Sequence, residues 1–335
     1  MMAYEVLLEE KLERVSGTLS NVLNPISPEL FFQEHWNRKA LHISGQADKF
    51  AGLFDQAAFH RAAHNCGDLK VGYTDDKGWP AHFQIRPDQI DEMLAAKKTV
   101  CASVIQNAEP ALISFLDEFR KSFRVAGAFT FNSYLSPDGS GFGLHLDHHP
   151  VFILQLDGAK RWRYSPEPGL KQVITNVSFP AGRDVLKLPW VTVSRPPEES
   201  LCEAVLRPGD VLYLPKGCWH CAQAIGHSLA LTLAMESVSL LDLVQAAMGP
   251  KLNTVRFRNA LDAYSVIESP VSTPDQLKNV MHEGLLELSE LVQNITVDDL
   301  AAVWERLEQH SANAQVQVAR GSAAERSRVN QPAQF

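Results

Sequence analysis

The residues best suited to chemistry are Gly143-Leu144-His145-Leu146-Asp147 and, far downstream, His220. On an extended strand His145 and Asp147, two positions apart, project to one face and can grip one ion together. A histidine from another strand would complete a facial set of three. Two imidazoles and one carboxylate suit Fe(II) and leave the remaining octahedral positions open for reactants. A lone H-x-D pair arises easily by chance in a chain with 12 histidines, so its surroundings must decide.

The surroundings favour a built site. Gly209-Asp210-Val211-Leu212-Tyr213-Leu214-Pro215-Lys216-Gly217-Cys218-Trp219-His220 reads as strand, tight turn, then histidine. Pro215 and Gly217 bend the chain and aim His220 inward. In Lys160-Arg161-Trp162-Arg163-Tyr164, alternation puts Lys160, Trp162 and Tyr164 on one face and the arginines on the other. One face is therefore aromatic and buried, and a buried lysine needs an anion. The plain alternative is an edge strand with solvated basic residues. Cys218 and Cys221 form a C-x-x-C without a second pair, which favours free thiols over a zinc site. His148 and His149 either line an entrance or occupy a loop. Phosphate-binding glycine loops, G-x-S-x-G and H-E-x-x-H are absent from the sequence.

The elements that must position these residues fall into four stretches. Residues 1–125 read as helices with short loops, opened by Ser27-Pro28, Arg86-Pro87 and Glu109-Pro110, with Phe32, Trp36 and Leu41 as anchors. Residues 126–238 change to period two. Thr130, Asn132 and Tyr134 alternate with Phe129, Phe131 and Leu135, and Val151–Leu156 is expected to turn at Asp157-Gly158 into Lys160–Tyr164. A last strand, from about Ser228 to Met235, places Ala230, Thr232 and Ala234 opposite a face of leucines. Short strands with Gly/Pro turns predict a sandwich or barrel. In 239–310 the helical period returns, with Leu277, Met281, Leu285, Leu288, Val292 and Ile295 forming a stripe and Thr296 an N-cap. Residues 311–335 have almost no large apolar side chain and are expected to be disordered.

Length and charge set the outer bounds. A chain of 335 residues, 45% hydrophobic, can bury a sizeable site, and its formal charge of −8 disfavours broad attraction to phosphate backbones or anionic lipid. Direct nucleic-acid binding is not expected without a local basic patch. No apolar run is long enough to span a membrane, the charged start does not read as a signal peptide, and the five cysteines suit a reducing compartment. A cytoplasmic location is expected.

Several motifs together resemble a known family. The spacings G-x5-H-x-D, from Gly139, and G-x5-P-x-G-x2-H, from Gly209, resemble the two metal motifs of the cupin fold. Asp147, where many cupins carry a second histidine, points within it to the JmjC-type 2-oxoglutarate oxygenases. Asp157–Tyr164 is similar to their G-x-K-R-W segment. Phe31–Leu41 resembles the amino-terminal segment of the ribosomal-oxygenase-like, or cupin-4, branch, and Asn132-Ser133-Tyr134 matches its N-x-Y. The resemblance covers roughly residues 20 to 245. It implies a double-stranded β-helix (a cupin/JmjC jelly roll) flanked by helices, with Fe(II), 2-oxoglutarate and O2 as cofactor and cosubstrates. His145, Asp147 and His220 would be the metal ligands, with no further catalytic side chain. Lys160, Tyr134 and Asn132 would bind the cosubstrate, and Thr232 would supply the hydroxyl that Ala234 lacks. The implied activity is hydroxylation of a side chain in a protein or peptide. A biosynthetic hydroxylase of a small peptide or amino acid, a lysine demethylase and a non-catalytic cupin-like binding module remain open. The later helices fit a homodimerisation region, whereas the chain is short for the branch's winged-helix domain.

Overall fold

The computed structural model describes residues 17–74, 80–123, 125, 127–171, 173–258 and 274–313. The charged opening segment, Thr273 and the tail from 314 onward lie outside them. Two compact units emerge, one dominated by residues up to Glu236 and the other spanning Ser237–Ala312. The first holds strands β1 (Leu41–Ile43), β2 (Asp68–Thr74), β3 (Pro80–Gln84), β4 (Val100–Ser103), β5 (Phe129–Pro137), β6 (Gly141–Leu146), β7 (Val151–Tyr164), β8 (Val177–Ser178), β9 (Val185–Lys187), β10 (Thr192–Ser194), β11 (Cys202–Leu206), β12 (Val211–Leu214) and β13 (His220–Met235).

Two long strands organise this unit. β7 runs antiparallel to β13 over its whole length, with Tyr164 opposite His220 and Val151 opposite Ala234. The hairpin expected at Asp157-Gly158 is not formed. Gly158 (φ +65°) and Gly226 (φ +73°) instead mark a bulged level at which the ladder shifts register. Both halves of β7 keep the same neighbour, so the local turn signal yields to non-local pairing. Glycine is required at 158, where a Cβ would lie 2.0 Å from the His227 carbonyl oxygen. The other flanks break at the same level. β11 and β12 pair with the two halves of β7, and β6 and β5 with the two halves of β13.

The result is a sheet with two ends, β11-β7-β13-β6-β8 and β1-β12-β7-β13-β5-β4-β2-β3. Residues from both ends line one cavity, with Trp162 and His220 from the first and Ile153 and Thr232 from the second. This is the expected double-stranded β-helix. The first 125 residues supply more than helices, since β1 to β4 extend the second end. Their expected helix starts are present: Ser27 caps Pro28–Leu30 and leads into a π-helical turn over Phe31–His35, and Pro110 opens Pro110–Arg120.

Alternation explains why the barrel is hollow. The leucines of β13 and Phe129, Phe131 and Phe152 bury their side chains with Phe31, Phe119 and Tyr213 in one core. Phe31 lies 4.9 Å from Tyr213 and Phe119 5.2 Å from Phe152, centroid to centroid. Each buried ring contributes about 2–3 kcal/mol. On the opposite face Ala230, Thr232 and Ala234 are too small to fill the interior, so space remains for a ligand.

The second unit is helical. Ser239 and Asp242 form a capping box on Leu240–Met248, and Thr296 caps Val297–Asn313, accepting from the Asp299 N–H as expected. Pro274–Gln293 carries the apolar stripe, of which Met281 is 48%, Leu285 63% and Val292 47% exposed. Among the described residues no helix is long and apolar enough to cross a membrane.

Candidate metal centre

His145 lies near the end of β6, opposite His220, the first residue of β13. Their ring centroids are 4.1 Å apart. Asp147 sits one residue past β6, where its backbone carbonyl accepts the Gly217 N–H at 2.8 Å. This bond ties the loop bearing one ligand to the turn preceding another. Gly217 has φ +80°, and a Cβ there would meet the Leu170 carbonyl oxygen at 2.0 Å.

The donor chemistry fits a cation. His145 Nδ1 is 2.8 Å from the Gly143 carbonyl and His220 Nδ1 is 2.9 Å from that of Cys218. A carbonyl can only accept, so both Nδ1 atoms carry a proton and Nε2 is the atom each ring has left for a metal. Asp147 Oδ2 is 3.6 Å from His220 Nε2, and the three ligand atoms all lie within 4.8 Å of one another. Acceptors facing acceptors call for a positive charge between them. Burial pushes the His220 imidazole down to about 4, reinforced by His145 and opposed by Asp147. Burial pushes Asp147 upward, but His220, His145, His149 and His148 hold it below the usual carboxylate value. A neutral imidazole and an ionised carboxylate are the forms that a divalent metal requires.

The triad opens on a cavity of about 170 Å³ that Lys160, Tyr134, Trp162, Thr232 and Asn176 also line. Lys160 is 2% exposed. Among the described residues no carboxylate pairs with it. Its Nζ donates to Ser136 Oγ at 3.0 Å and lies 5.7 Å from the Tyr134 ring centroid and 5.9 Å from that of Trp162. Burial lowers its ammonium to about 8. The buried Trp162 Nε1 has no hydrogen-bond partner. A buried cation and an unused donor in one cavity are what a carboxylate-bearing ligand would satisfy.

The remaining candidates are placed differently. Asn132 is not on the cavity wall; its Oδ1 accepts the Val104 N–H at 3.2 Å, at a left-handed residue with φ 54°. His148 donates through its backbone N and Nδ1 to Asn176 Oδ1, at 3.0 and 2.7 Å. All five cysteines are free thiols, and burial pushes Cys218 up to about 12. Sequence reasoning missed Ser136 and Asn176. Ser136 was accessible through strand alternation from Asn132 and Tyr134, whereas Asn176 sits in irregular chain with no local signal.

Comparisons with known proteins agree with this geometry. Residues 106–243 match the JmjC domain model. The uncharacterized protein YxbC of Bacillus subtilis is 24% identical over 304 residues, which is 85% of this chain and 90% of that protein. Ribosomal oxygenase 1 of Gallus gallus is 30% identical over 245 residues, which is 68% of this chain but 38% of the chicken protein. The chain therefore spans well under half of that relative. In fold it resembles YcfD, a ribosomal oxygenase from Escherichia coli solved with cobalt and 2-oxoglutarate, at TM-score 0.55 and 16% identity over 85% of this chain and 71% of that one. The matched segment encloses all three ligands of the facial site, so residues 106–243 of this chain form a JmjC domain.

Proposed function

We propose that the protein is an Fe(II)- and 2-oxoglutarate-dependent oxygenase that hydroxylates an amino-acid side chain in a protein or peptide. The carrying observation is Lys160, a buried cation with no carboxylate partner among the described residues, in the same cavity as the facial triad. His145, Asp147 and His220 would hold iron on one face. Lys160 and Tyr134 would hold the far carboxylate of 2-oxoglutarate, with Thr232 beside them and Asn132 on the same strand two residues before Tyr134. Iron(II) with 2-oxoglutarate would supply O2-dependent C–H oxidation, with succinate and CO2 as coproducts. The apolar walls Val151, Ile153 and Ala230 exclude water from the site.

The similarity to ribosomal oxygenases supports a ribosomal protein as the substrate. In this reading residues 1–125 form the wall, 126–238 the catalytic core, 239–310 a helical dimerisation region and 311–335 a tail. The exposed stripe of Pro274–Gln293 supports a homodimer, and five free thiols support a cytoplasmic location.

The test is direct. Anaerobic protein with Fe(II) and 2-oxoglutarate should develop a visible charge-transfer band that His145→Ala abolishes. A screen of cell-extract peptides should then yield succinate and a product heavier by one oxygen atom. No band, or a band that survives in His145→Ala, overturns the assignment.

A further inference from the structure

The acidic chain carries a cleft whose lining runs against its net charge. A cleft of about 430 Å³ is lined by Arg38, Lys39, Lys171 and Lys216, with Glu167 as its carboxylate and Pro168 as its apolar side chain. Among the described residues none of the four cations forms an ion pair. Arg38 donates to the Gln33 carbonyl. Four cations lining one cleft on a chain of formal charge −8 repel one another, and an anion relieves that repulsion.

The cleft is built from three chain segments held by backbone bonds. Ala40 N–H donates to Pro166 O at 2.9 Å, and the Gly169 and Leu170 N–H groups donate to Gly217 O at 2.9 and 3.3 Å. Gly217 in turn donates to the Asp147 carbonyl at 2.8 Å. A ligand seated here would rest on the same framework that carries a metal ligand.

We propose that this cleft binds the phosphodiester backbone of single-stranded RNA. The lining decides between classes of polyanion. A peptide partner of mixed sequence draws its affinity from apolar or aromatic anchors buried in a pocket, and Pro168 is the apolar side chain of this lining. A run of phosphates is held by cations alone, and the lining supplies four. The proposal goes beyond the oxygenase reading and rests on it only for which RNA is met, namely that surrounding a ribosomal protein substrate.

The test is fluorescence anisotropy of an end-labelled oligouridylate of about 12 nucleotides with the full chain. Four phosphate contacts predict a slope of log affinity against log salt of about −3, a loss of roughly 50-fold between about 50 and 200 mM. Lys39→Ala with Lys171→Ala should halve the slope. Lys121→Ala with Lys187→Ala, which removes the same formal charge elsewhere, should leave it unchanged. Circular dichroism on both pairs establishes folding. No binding at low salt, equal slopes in the two pairs, or equal competition by polyglutamate would each overturn the proposal. The anaerobic band is read separately, so failure of the oxygenase reading leaves this result standing.

Discussion

Asp147 and Gly217 share a 2.8 Å backbone hydrogen bond, so the loop that carries one metal ligand and the turn that aims His220 move as one piece. The bond depends on a left-handed residue packed against the Leu170 carbonyl. Gly217→Ala would strain the backbone and displace that carbonyl, costing at least about 2 kcal/mol. The expected outcome is a lower melting temperature together with weaker cobalt(II) binding, measured by thermal denaturation and metal titration. An unchanged metal affinity would mean that the turn does not position the site.

Lys160 gives the apo protein a specific pH response. Burial lowers its ammonium from 10.5 to about 8 in the folded chain. Between those values the unfolded chain binds the extra proton, so folding stability rises with pH across the window. The rise attributable to Lys160 is about 3 kcal/mol as an order of magnitude. Unfolding curves of wild type and Lys160→Met from about pH 7.5 to 10.5 should therefore show the wild type gaining on the variant. Saturating 2-oxoglutarate should flatten the difference by supplying the missing anion, and parallel curves without it would contradict the burial argument.

Ser136 holds Lys160 by a 3.0 Å bond and is itself held by Thr99, also at 3.0 Å. Removing a hydrogen bond to a charged group costs about 1.5–3 kcal/mol. Ser136→Ala is expected to weaken 2-oxoglutarate binding roughly tenfold or more while leaving cobalt(II) affinity intact, because the triad does not touch it. Isothermal titration with each ligand separates the two effects, and a parallel loss of metal binding would indicate general damage.

The difference between Ser136 and Gly158 shows where sequence reading succeeds and stops. The triad spacing, the alternation of Lys160 with Trp162 and the helix starts at Ser27 and Pro110 are local patterns, and each is present in the structure. Asp157-Gly158 carries an equally local turn signal, yet β13 pairs on both sides of it and the strand runs through. Continuity across a bulge depends on a partner more than 60 residues away in the chain. The strands β2 to β4 escaped notice for the same reason, since they form as an extension of β5. Asn132 shares a face with Tyr134, but only the structure reveals that Val104 claims its oxygen.

The carboxy-terminal unit makes the last prediction. Pro274–Gln293 leaves Met281, Leu285 and Val292 about half exposed or more on one stripe, with Leu286 exposed beside it. Apolar surface of this kind, repeated along one face, marks an interaction site more often than a solvated helix. A second copy can cover it symmetrically, with the same stripe on each partner. Wild-type protein should then sediment as a dimer, and Leu285→Lys with Val292→Lys should convert it to monomer by placing desolvated charges in the interface. The charge-transfer band with Fe(II) and 2-oxoglutarate should persist in the monomer, because every residue lining the cavity lies before residue 233. Wild-type protein that sediments as a monomer at micromolar concentration would remove the case for self-association.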